Sequence, residues 1–418
     1  MRFRDFHRTI KIRIFESFLS RFIGGMIFPF MAIYLAKYFG VTVTGMLLLI
    51  NVLVGIGITF IGGYYADQFG RKKIILFAET LRFLAFFAMM LFNSPWLHSP
   101  TVTFLMMTVN SICWGLAGPA TQAMLIDVST PEQRKLMYSI TYWANNLSIA
   151  IGGALGGFLF EKYLFQLFIG LSGVSLLTVI LIRFFIDESY SPNTTVLSTV
   201  QHIKQLVGNY QKVIQDRLFV LFTLAGVFIL SMEFQLTNYI GIRLSNQMTL
   251  QHFLFWDIDG IKMLGFLRTE NTILVVLLIL FSSRLVDRFK DRNVLVLSSL
   301  VFTIGYGVIA YSNHVWVLIL MMLFLTIGEV FRIPVQQTYL ASLPPDDARS
   351  SYMALNGLTF NLAMLISSVT VSISAFFSTA VMASLITGIG VIGVIIYLFT
   401  LPGLEERVQQ NVTSNFQG

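Results

Sequence analysis

The residues of this chain that could do chemistry are charged side chains set inside long apolar segments. Glu233 and Glu329 lie deep in two such segments, and Arg332 follows Glu329 by about one helical turn. A charged group is costly in an apolar surrounding, so a carboxylate there favours a bound proton or cation. These residues therefore predict proton exchange and the binding of a charged small molecule.

Each of these groups also has a structural interpretation. Glu329 would form a neutralised pair with Arg332, and Glu233 would reach toward the outer membrane surface. Arg21, in the first apolar segment, shares a helix face with two glycines, where a substrate or a neighbouring backbone can approach closely. An arginine there suits an anionic or zwitterionic substrate, but it would equally suit an ion pair with Glu233 or Glu329.

A polar run between two apolar segments carries a second set of charges. It extends over residues 63–73 and contains Asp67 and Arg71, four residues apart. Asp127, at the end of a later apolar segment, is the expected partner of the basic residues beside Arg71. Protonation of Asp67 or Asp127 would remove such an ion pair, which predicts a gate. The alternatives are a solvated loop acid at Asp67 and an interfacial capping acid at Asp127.

The composition indicates that lipid surrounds most of the chain. Of its 418 residues, 56% are hydrophobic and only 12% are charged, and the mean hydropathy is +0.75. Soluble domains usually contain about 25% charged residues. About 20 apolar residues cross a membrane as a helix, which predicts twelve spans: 14–37, 44–66, 73–93, 101–125, 137–160, 164–187, 217–242, 270–288, 293–313, 315–340, 351–376 and 379–401.

The distribution of lysine and arginine predicts the orientation. With the N-terminus inside, 19 of the 28 basic residues fall on the inner side, and Lys262 and Arg268 are among the few assigned to outer loops. The positive-inside rule therefore places both termini in the cytoplasm of a cell, which we expect to be bacterial. The same rule explains the net charge of +7 without nucleic acid.

Two motifs recur at nearly the same offset and indicate a duplication. The run around Asp67 has a weaker copy around Asp287, 220 residues later, and Pro119, Gln122 and Arg134 each recur 215 residues later. We therefore predict an all-α membrane protein with two pseudo-symmetric six-helix halves. The expected division is 1–187, a cytoplasmic linker at 188–216, 217–402, and a polar tail at 403–418.

The 63–73 run resembles the loop motif between the second and third spans of the major facilitator superfamily. Gly63, Asp67 and Arg71 fall on main positions of that motif, and Gln68 replaces its usual arginine. Residues 152–157 are similar to the antiporter motif of the family's drug:proton antiporters, and residues 142–148 also resemble its proton-driven multidrug exporters. Trp143 and Asn146 in that stretch are candidate substrate contacts, although Trp143 suits packing equally well.

The expected function is proton-coupled export of hydrophobic or amphiphilic compounds by alternating access. The alternatives are a dedicated exporter of an anionic or zwitterionic metabolite or lipid-linked sugar, a nutrient symporter, and a membrane enzyme or receptor. We expect no enzymatic activity, no cofactor and no metal site, because nucleophile–base pairs, phosphate-binding loops and metal-ligand spacings are missing from the sequence. The expected partners are protons, a small molecule and the bilayer, with the chain a monomer.

Overall fold

The computed structural model describes residues 3–189, 213–286, 289–343 and 349–415. The chain divides into two compact units, Met1–Thr199 and Val200–Gly418. Most of the predicted linker, at 190–212, lies outside the described residues. So do Asp287 of the repeated motif and the C-terminal end of the tail.

The N-terminal unit consists of long helices. They are α1 (Arg8–Ile27), α2 (Met31–Phe39), α3 (Val41–Phe69), α4 (Arg71–Leu91), α5 (Pro100–Asp127) and α6 (Pro131–Phe185). A 3₁₀ turn at Phe28–Phe30 joins α1 to α2, because Pro29 has no N–H to continue the α-helical ladder. Inside the 55-residue α6, Tyr163 has non-helical φ/ψ of −125° and 27°, between the two spans predicted there.

The C-terminal unit adds a short hairpin to its helices. They are α7 (Arg217–Gln235), α8 (Gly241–Gln247), α9 (Gly260–Val286), α10 (Asp291–Tyr311), α11 (Val315–Ser342), α12 (Arg349–Ser374) and α13 (Thr379–Asn415). A π-helical turn at Leu236–Ile240 joins α7 to α8. The antiparallel strands β1 (Gln251–Phe253) and β2 (Trp256–Ile258) fill the connection from α8 to α9.

Ten stretches of the described residues are helical, long and apolar enough to cross a membrane. Large apolar side chains cover their outer surfaces; Phe184 and Phe399, for example, are 73% and 82% exposed. A multi-pass, all-helical membrane protein accounts for that surface, since lipid accepts apolar side chains that water would not. The twelve-span count and the pseudo-symmetry stay predictions.

Glycines allow the helices of each unit to approach closely. A Cβ on Gly152 of α6 would lie 2.5 Å from the carbonyl oxygen of Phe22 on α1, and one on Gly62 of α3 would lie 2.3 Å from that of Gly115 on α5. In the C-terminal unit, Gly328 of α11 meets the backbone of α10 in the same way. Small residues at such crossings are the usual device of membrane helix packing.

The sequence predicts a connection at residues 243–269 with Arg243, Lys262 and Arg268 in it, but the connection in the structure is shorter and extends over 248–259. Helix α9 begins at Gly260, ten residues before the predicted span at 270–288, so Lys262 and Arg268 lie on a helix. Arg243 is not in a loop either, because it lies on α8. Its guanidinium group donates to the carbonyl oxygens of Ile309 and Ser312 at 2.9 and 2.7 Å, and so satisfies the C-terminal end of α10.

Candidate functional site

A cavity of about 430 Å³ lies inside the N-terminal unit. Helices α1, α4, α5 and α6 supply its walls. Its described lining residues are Arg13, Ile14, Glu16, Ser17, Ser20, Arg21, Glu79, Arg82, Trp114, Ala117, Gly118, Thr121, Gln122, Leu125, Tyr138, Thr141 and Asn145. A wall with so many charged and hydroxyl groups suits a polar or charged ligand better than a purely apolar one.

The two acids of this cavity are each paired with an arginine on the same helix. Arg13 Nη1 lies 3.0 Å from Glu16 Oε2 on α1, and Arg82 Nη1 lies 2.7 Å from Glu79 Oε1 on α4. Both pairs have the i,i+3 spacing that brings side chains together on a helix. The spacing alone predicts the second pair, and in the first pair Arg13 is only 9% exposed.

Arg21 lies beside an aromatic ring, and the attraction of Glu16 reaches it from beyond ion-pair distance. Its guanidinium carbon lies 5.7 Å from the ring centre of Trp114 on α5, and that of Arg82 lies 5.1 Å from the same ring. These distances allow cation–π attraction. Arg21 is thus on the cavity wall, but neither Glu233 nor Glu329 belongs to its unit.

The α6 candidates lie beside this cavity rather than among its described lining residues. Trp143 is 57% exposed on the helix surface, and Asn146 is half-buried. Thr141 and Asn145 of the same helix line the cavity, and Asn145 Oδ1 accepts a hydrogen bond from Ser17 on α1. Asn145 could have been chosen as a site residue from the sequence, because it directly precedes Asn146 in a short polar stretch of an apolar helix.

The 63–73 motif forms a tight connection held by acids from elsewhere in the unit. Helix α3 ends at Phe69 and α4 begins at Arg71, with Gly70 between them at a φ of +99° that glycine adopts readily. Arg71 forms an ion pair with Asp127, the predicted partner. The backbone N–H of Lys72 donates to both carboxylate oxygens of Glu188 at 3.1 Å. The side chain of Asp67 lies outside the described part of the chain.

Glu329 of the C-terminal unit is held by a hydrogen bond rather than by an ion pair. It is 8% exposed, and Asn271 Nδ2 on α9 donates to its Oε2 at 2.8 Å and to Thr326 Oγ1 at 3.0 Å. Arg332 donates to Gln336 Oε1 at 2.7 Å and covers the ring of Phe302. Among the described residues, no cationic group lies within ion-pair distance of Glu329. The i,i+3 pair with Arg332 is therefore not formed.

Glu233 occupies a different setting. It lies near the end of α7, three residues before the π-helical turn, and its side chain is exposed on the surface of its unit. π-helical turns inside membrane helices often accompany functional sites. Glu233 interacts electrostatically with Arg268, Arg332 and Glu329, so it belongs to the same charged region of this unit.

Two charged residues of α9 escaped the sequence analysis. Arg268 was assigned to a loop, and Glu270 was assigned no role. Among the described residues, neither Arg268 Nε nor Glu270 Oε2 has a hydrogen-bond partner, although both atoms are buried. The sequence does not indicate that these two residues lie on a helix, because polar residues within 257–271 make the start of α9 look like part of a loop.

Comparison with known proteins identifies the family. A family model described as Major Facilitator Superfamily matches residues 14–255 and 246–415. The chain belongs to this superfamily. The expectation of a membrane transporter rather than an enzyme is thereby supported.

Two relatives of the chain are named for different kinds of transport. A "Na(+), Li(+), K(+)/H(+) antiporter" of Planococcus maritimus is 29% identical over 426 residues, which cover 99% of this chain and 100% of that protein. "Multidrug resistance protein MdtH" of Blochmanniella floridana is 26% identical over 339 residues, 80% of this chain and 79% of that protein.

Solved structures show the same superfamily fold. A crystal structure of the peptide transporter POT in complex with sulfate has a TM-score of 0.74, with 16% identity over 98% of this chain and 96% of that one. The nucleoside transporter NupG has a TM-score of 0.71, with 13% identity over 94% of this chain and 99% of that one. At such low identity these likenesses establish the fold and nothing about cargo.

Proposed function

We propose that this superfamily member is a proton-coupled antiporter that exports hydrophobic or amphiphilic compounds by alternating access. The observation that carries the proposal is the setting of Glu329, which is buried, hydrogen-bonded to Asn271 and without an ion-pair partner among the described residues. The names of the two relatives support it, since one is an antiporter that exchanges cations for protons and the other a multidrug resistance protein.

The physical argument concerns neutralisation of a carboxylate inside a membrane helix. An unpaired charge there costs several kcal/mol, on the order of 2.5–3.5 at the helix centre even on lenient scales. A proton or a cationic group of the cargo removes that cost, but one carboxylate accepts only one of them at a time. Competition between proton and cargo for the same group couples their movements in opposite directions.

The other candidate residues take supporting roles in this proposal. Glu233, exposed on the same unit, is the second group for a proton or a cationic cargo, and Arg332 remains a candidate cargo contact. The Arg71–Asp127 pair holds the end of α5 to the start of α4, so its opening would loosen a gate. Asp67, Trp143 and Asn146 keep the gating and substrate roles predicted from the sequence.

The test is export measured in inverted membrane vesicles with a fluorescent amphiphilic cation and an imposed proton gradient. Glu329→Gln keeps the size of the side chain and its acceptor oxygen but cannot exchange a proton, so proton-driven export should be abolished while the amount of folded protein stays unchanged. Glu161→Gln, an exposed acid of the other unit, is the matched control and should transport normally. Export by the Glu329→Gln variant at the normal rate would remove Glu329 from the mechanism.

Exchange of monovalent metal ions for protons is the second candidate. The relative named for Na⁺, Li⁺ and K⁺, which this chain matches over its full length, favours it, as do the neighbouring oxygen atoms of Glu329 and Thr326, which Asn271 Nδ2 joins. Hard cations prefer such oxygen ligands. If the chain exchanges these ions for protons, addition of Na⁺ or K⁺ to the same vesicles should dissipate the proton gradient. Proton entry together with cargo, in the same direction, would instead indicate a symporter.

A further inference from the structure

The charges that line the cavity of the N-terminal unit are unbalanced. Three arginines and two glutamates belong to its described wall, and both glutamates are already paired with Arg13 and Arg82. Arg21 is the arginine left over. Its guanidinium group lies over the ring of Trp114, and Glu16, already paired with Arg13, attracts it only from beyond ion-pair distance. The described wall therefore has a formal surplus of one positive charge at Arg21.

The hydrogen-bond donors of the same wall are also in surplus. The Nε atoms of Arg13, Arg21 and Arg82 are all buried, and each is without a hydrogen-bond partner among the described residues. A guanidinium group has five N–H donors and no acceptor, so a cluster of three needs acceptors from outside itself. Buried polar groups that lack partners within a protein often indicate a missing ion or ligand.

The remaining wall limits the ligand to an amphiphile of modest size. A cavity of about 430 Å³ is at the lower end of the range for small-molecule sites, about 300–1,000 Å³. Ile14, Ala117, Leu125 and the indole of Trp114 supply apolar surface, while hydroxyl groups such as that of Thr121 supply polar contacts. A single anionic group on an apolar or aromatic body matches both parts of this wall.

We propose that this cavity is a binding site for organic anions, with the Arg21 guanidinium group as the partner of a carboxylate on an apolar or aromatic body. An arginine binds a carboxylate through parallel N–H donors, which a neutral isostere cannot reproduce. This goes beyond proton exchange at Glu329, because it assigns a ligand class to the other unit and requires no proton gradient.

The experiment is isothermal titration calorimetry of the purified full-length chain in lipid nanodiscs. The probe is 2-naphthoate, and the comparison ligands are its neutral isostere 2-naphthalenemethanol and the cation 2-naphthylmethylammonium. We expect 2-naphthoate to bind at least about tenfold more tightly than the neutral ligand, the equivalent of roughly 1.4 kcal/mol. The cation is compared in the Glu329→Gln variant, which lacks the acid proposed to take a cationic cargo, and 2-naphthoate should again bind more tightly. Equal or tighter binding of the neutral ligand to the unmodified chain, or of the cation to that variant, would overturn the proposal.

Variants locate the site. Arg21→Gln should weaken 2-naphthoate binding about tenfold, and Arg21→Lys should recover part of it because the positive charge is kept. Arg183→Gln, an exposed arginine of the same unit that does not line the cavity, is the matched control and should bind normally. Naphthoate binding by a folded Arg21→Gln variant at the unmodified affinity would contradict the assignment. Glu329→Gln should keep this binding, so loss of transport and loss of anion binding can be told apart.

Discussion

At the scale of single residues, one helical spacing gives opposite outcomes in the two units. Glu16 and Glu79 each pair with an arginine three residues away. Glu329 has Arg332 at the same spacing, but Arg332 donates its hydrogen bond to Gln336, one turn further along. Glu329 instead accepts a hydrogen bond from Asn271 on another helix. Local spacing allows an ion pair, but competing hydrogen-bond partners decide whether it forms.

A residue-scale prediction concerns Asp216, which precedes α7. Burial raises the pKa of this carboxyl, but hydrogen bonds from Arg407, Tyr352 and the Phe219 N–H outweigh burial and hold the pKa below its usual value. The stabilisation is therefore present above the unfolded-state pKa of about 3.9 and is lost as pH falls through the lower folded-state value. Asp216→Asn should lower the free energy of unfolding at pH 7 by roughly 1–3 kcal/mol.

Thermal unfolding in detergent between pH 7 and pH 3 measures this effect. The difference between Asp216→Asn and the unmodified chain should shrink as the pH falls below about 4. Asp187→Asn, at an exposed aspartate, is the control and should change stability little at any pH. A difference that stays constant across this pH range would show that the charge of Asp216 does not contribute.

At the scale of secondary-structure elements, close backbone approach decides which helices pack together. The crossing of α1 and α6 depends on Gly25 and Gly152, whose backbones face each other. The sequence predicts close contacts from the glycine pairs at 24–25 and 152–153. It does not say which glycine meets which, because that depends on how two helices 130 residues apart are rotated about their axes.

The prediction at this scale is that Gly152→Ala weakens the N-terminal unit. The added Cβ would lie 2.5 Å from the Phe22 carbonyl oxygen and 3.2 Å from Gly25 Cα, so the two helices must separate. Overpacking of this kind costs about 1–3 kcal/mol. The measurement is the thermal unfolding temperature of the purified protein.

Gly173→Ala on the same helix is the matched control, because no atom lies within 4 Å of its added Cβ. Alanine stabilises helix interiors relative to glycine by roughly 0.5–1 kcal/mol, so this variant should be neutral or slightly more stable. If both variants unfolded at the same temperature, the α1–α6 crossing would not depend on Gly152.

At the scale of the whole molecule, the distribution of charge predicts how the chain lies in the membrane. Helices α8 and α9 are joined by the hairpin that carries Phe255, which is 89% exposed. The positive-inside rule places this hairpin outside the cell and the C-terminal end of α13 inside. Because Arg268 lies on α9, it leaves the count of basic residues in outer loops, and the orientation itself stays a prediction.

Labelling of intact cells with a membrane-impermeant maleimide tests the orientation. Phe255→Cys should react from outside, whereas Glu406→Cys should react only after the cells are permeabilised. The unmodified chain is the control, because its single cysteine, Cys113, is fully buried. Reaction of Glu406→Cys in intact cells would contradict a cytoplasmic C-terminus.

The sequence by itself determined that lipid surrounds most of this protein, and it determined the contacts between residues close together in the chain. Apolar segments of about 20 residues can satisfy their backbone groups in lipid only as helices, so most element positions follow from composition. The turn at Gly70 and the Glu79–Arg82 pair follow from local spacing in the same way.

Tertiary structure alone decided which charged groups keep a partner. Asn271 is 58 residues away from Glu329 in sequence, and it can donate a hydrogen bond to this acid only because α9 packs against α11. Arg21 forms no ion pair with a described acid, since Glu16 pairs with Arg13 and acts on Arg21 only from a longer distance. Long-range packing distributes hydrogen-bond partners among competing groups, and the proposals for a proton at Glu329 and an anion at Arg21 both depend on that distribution.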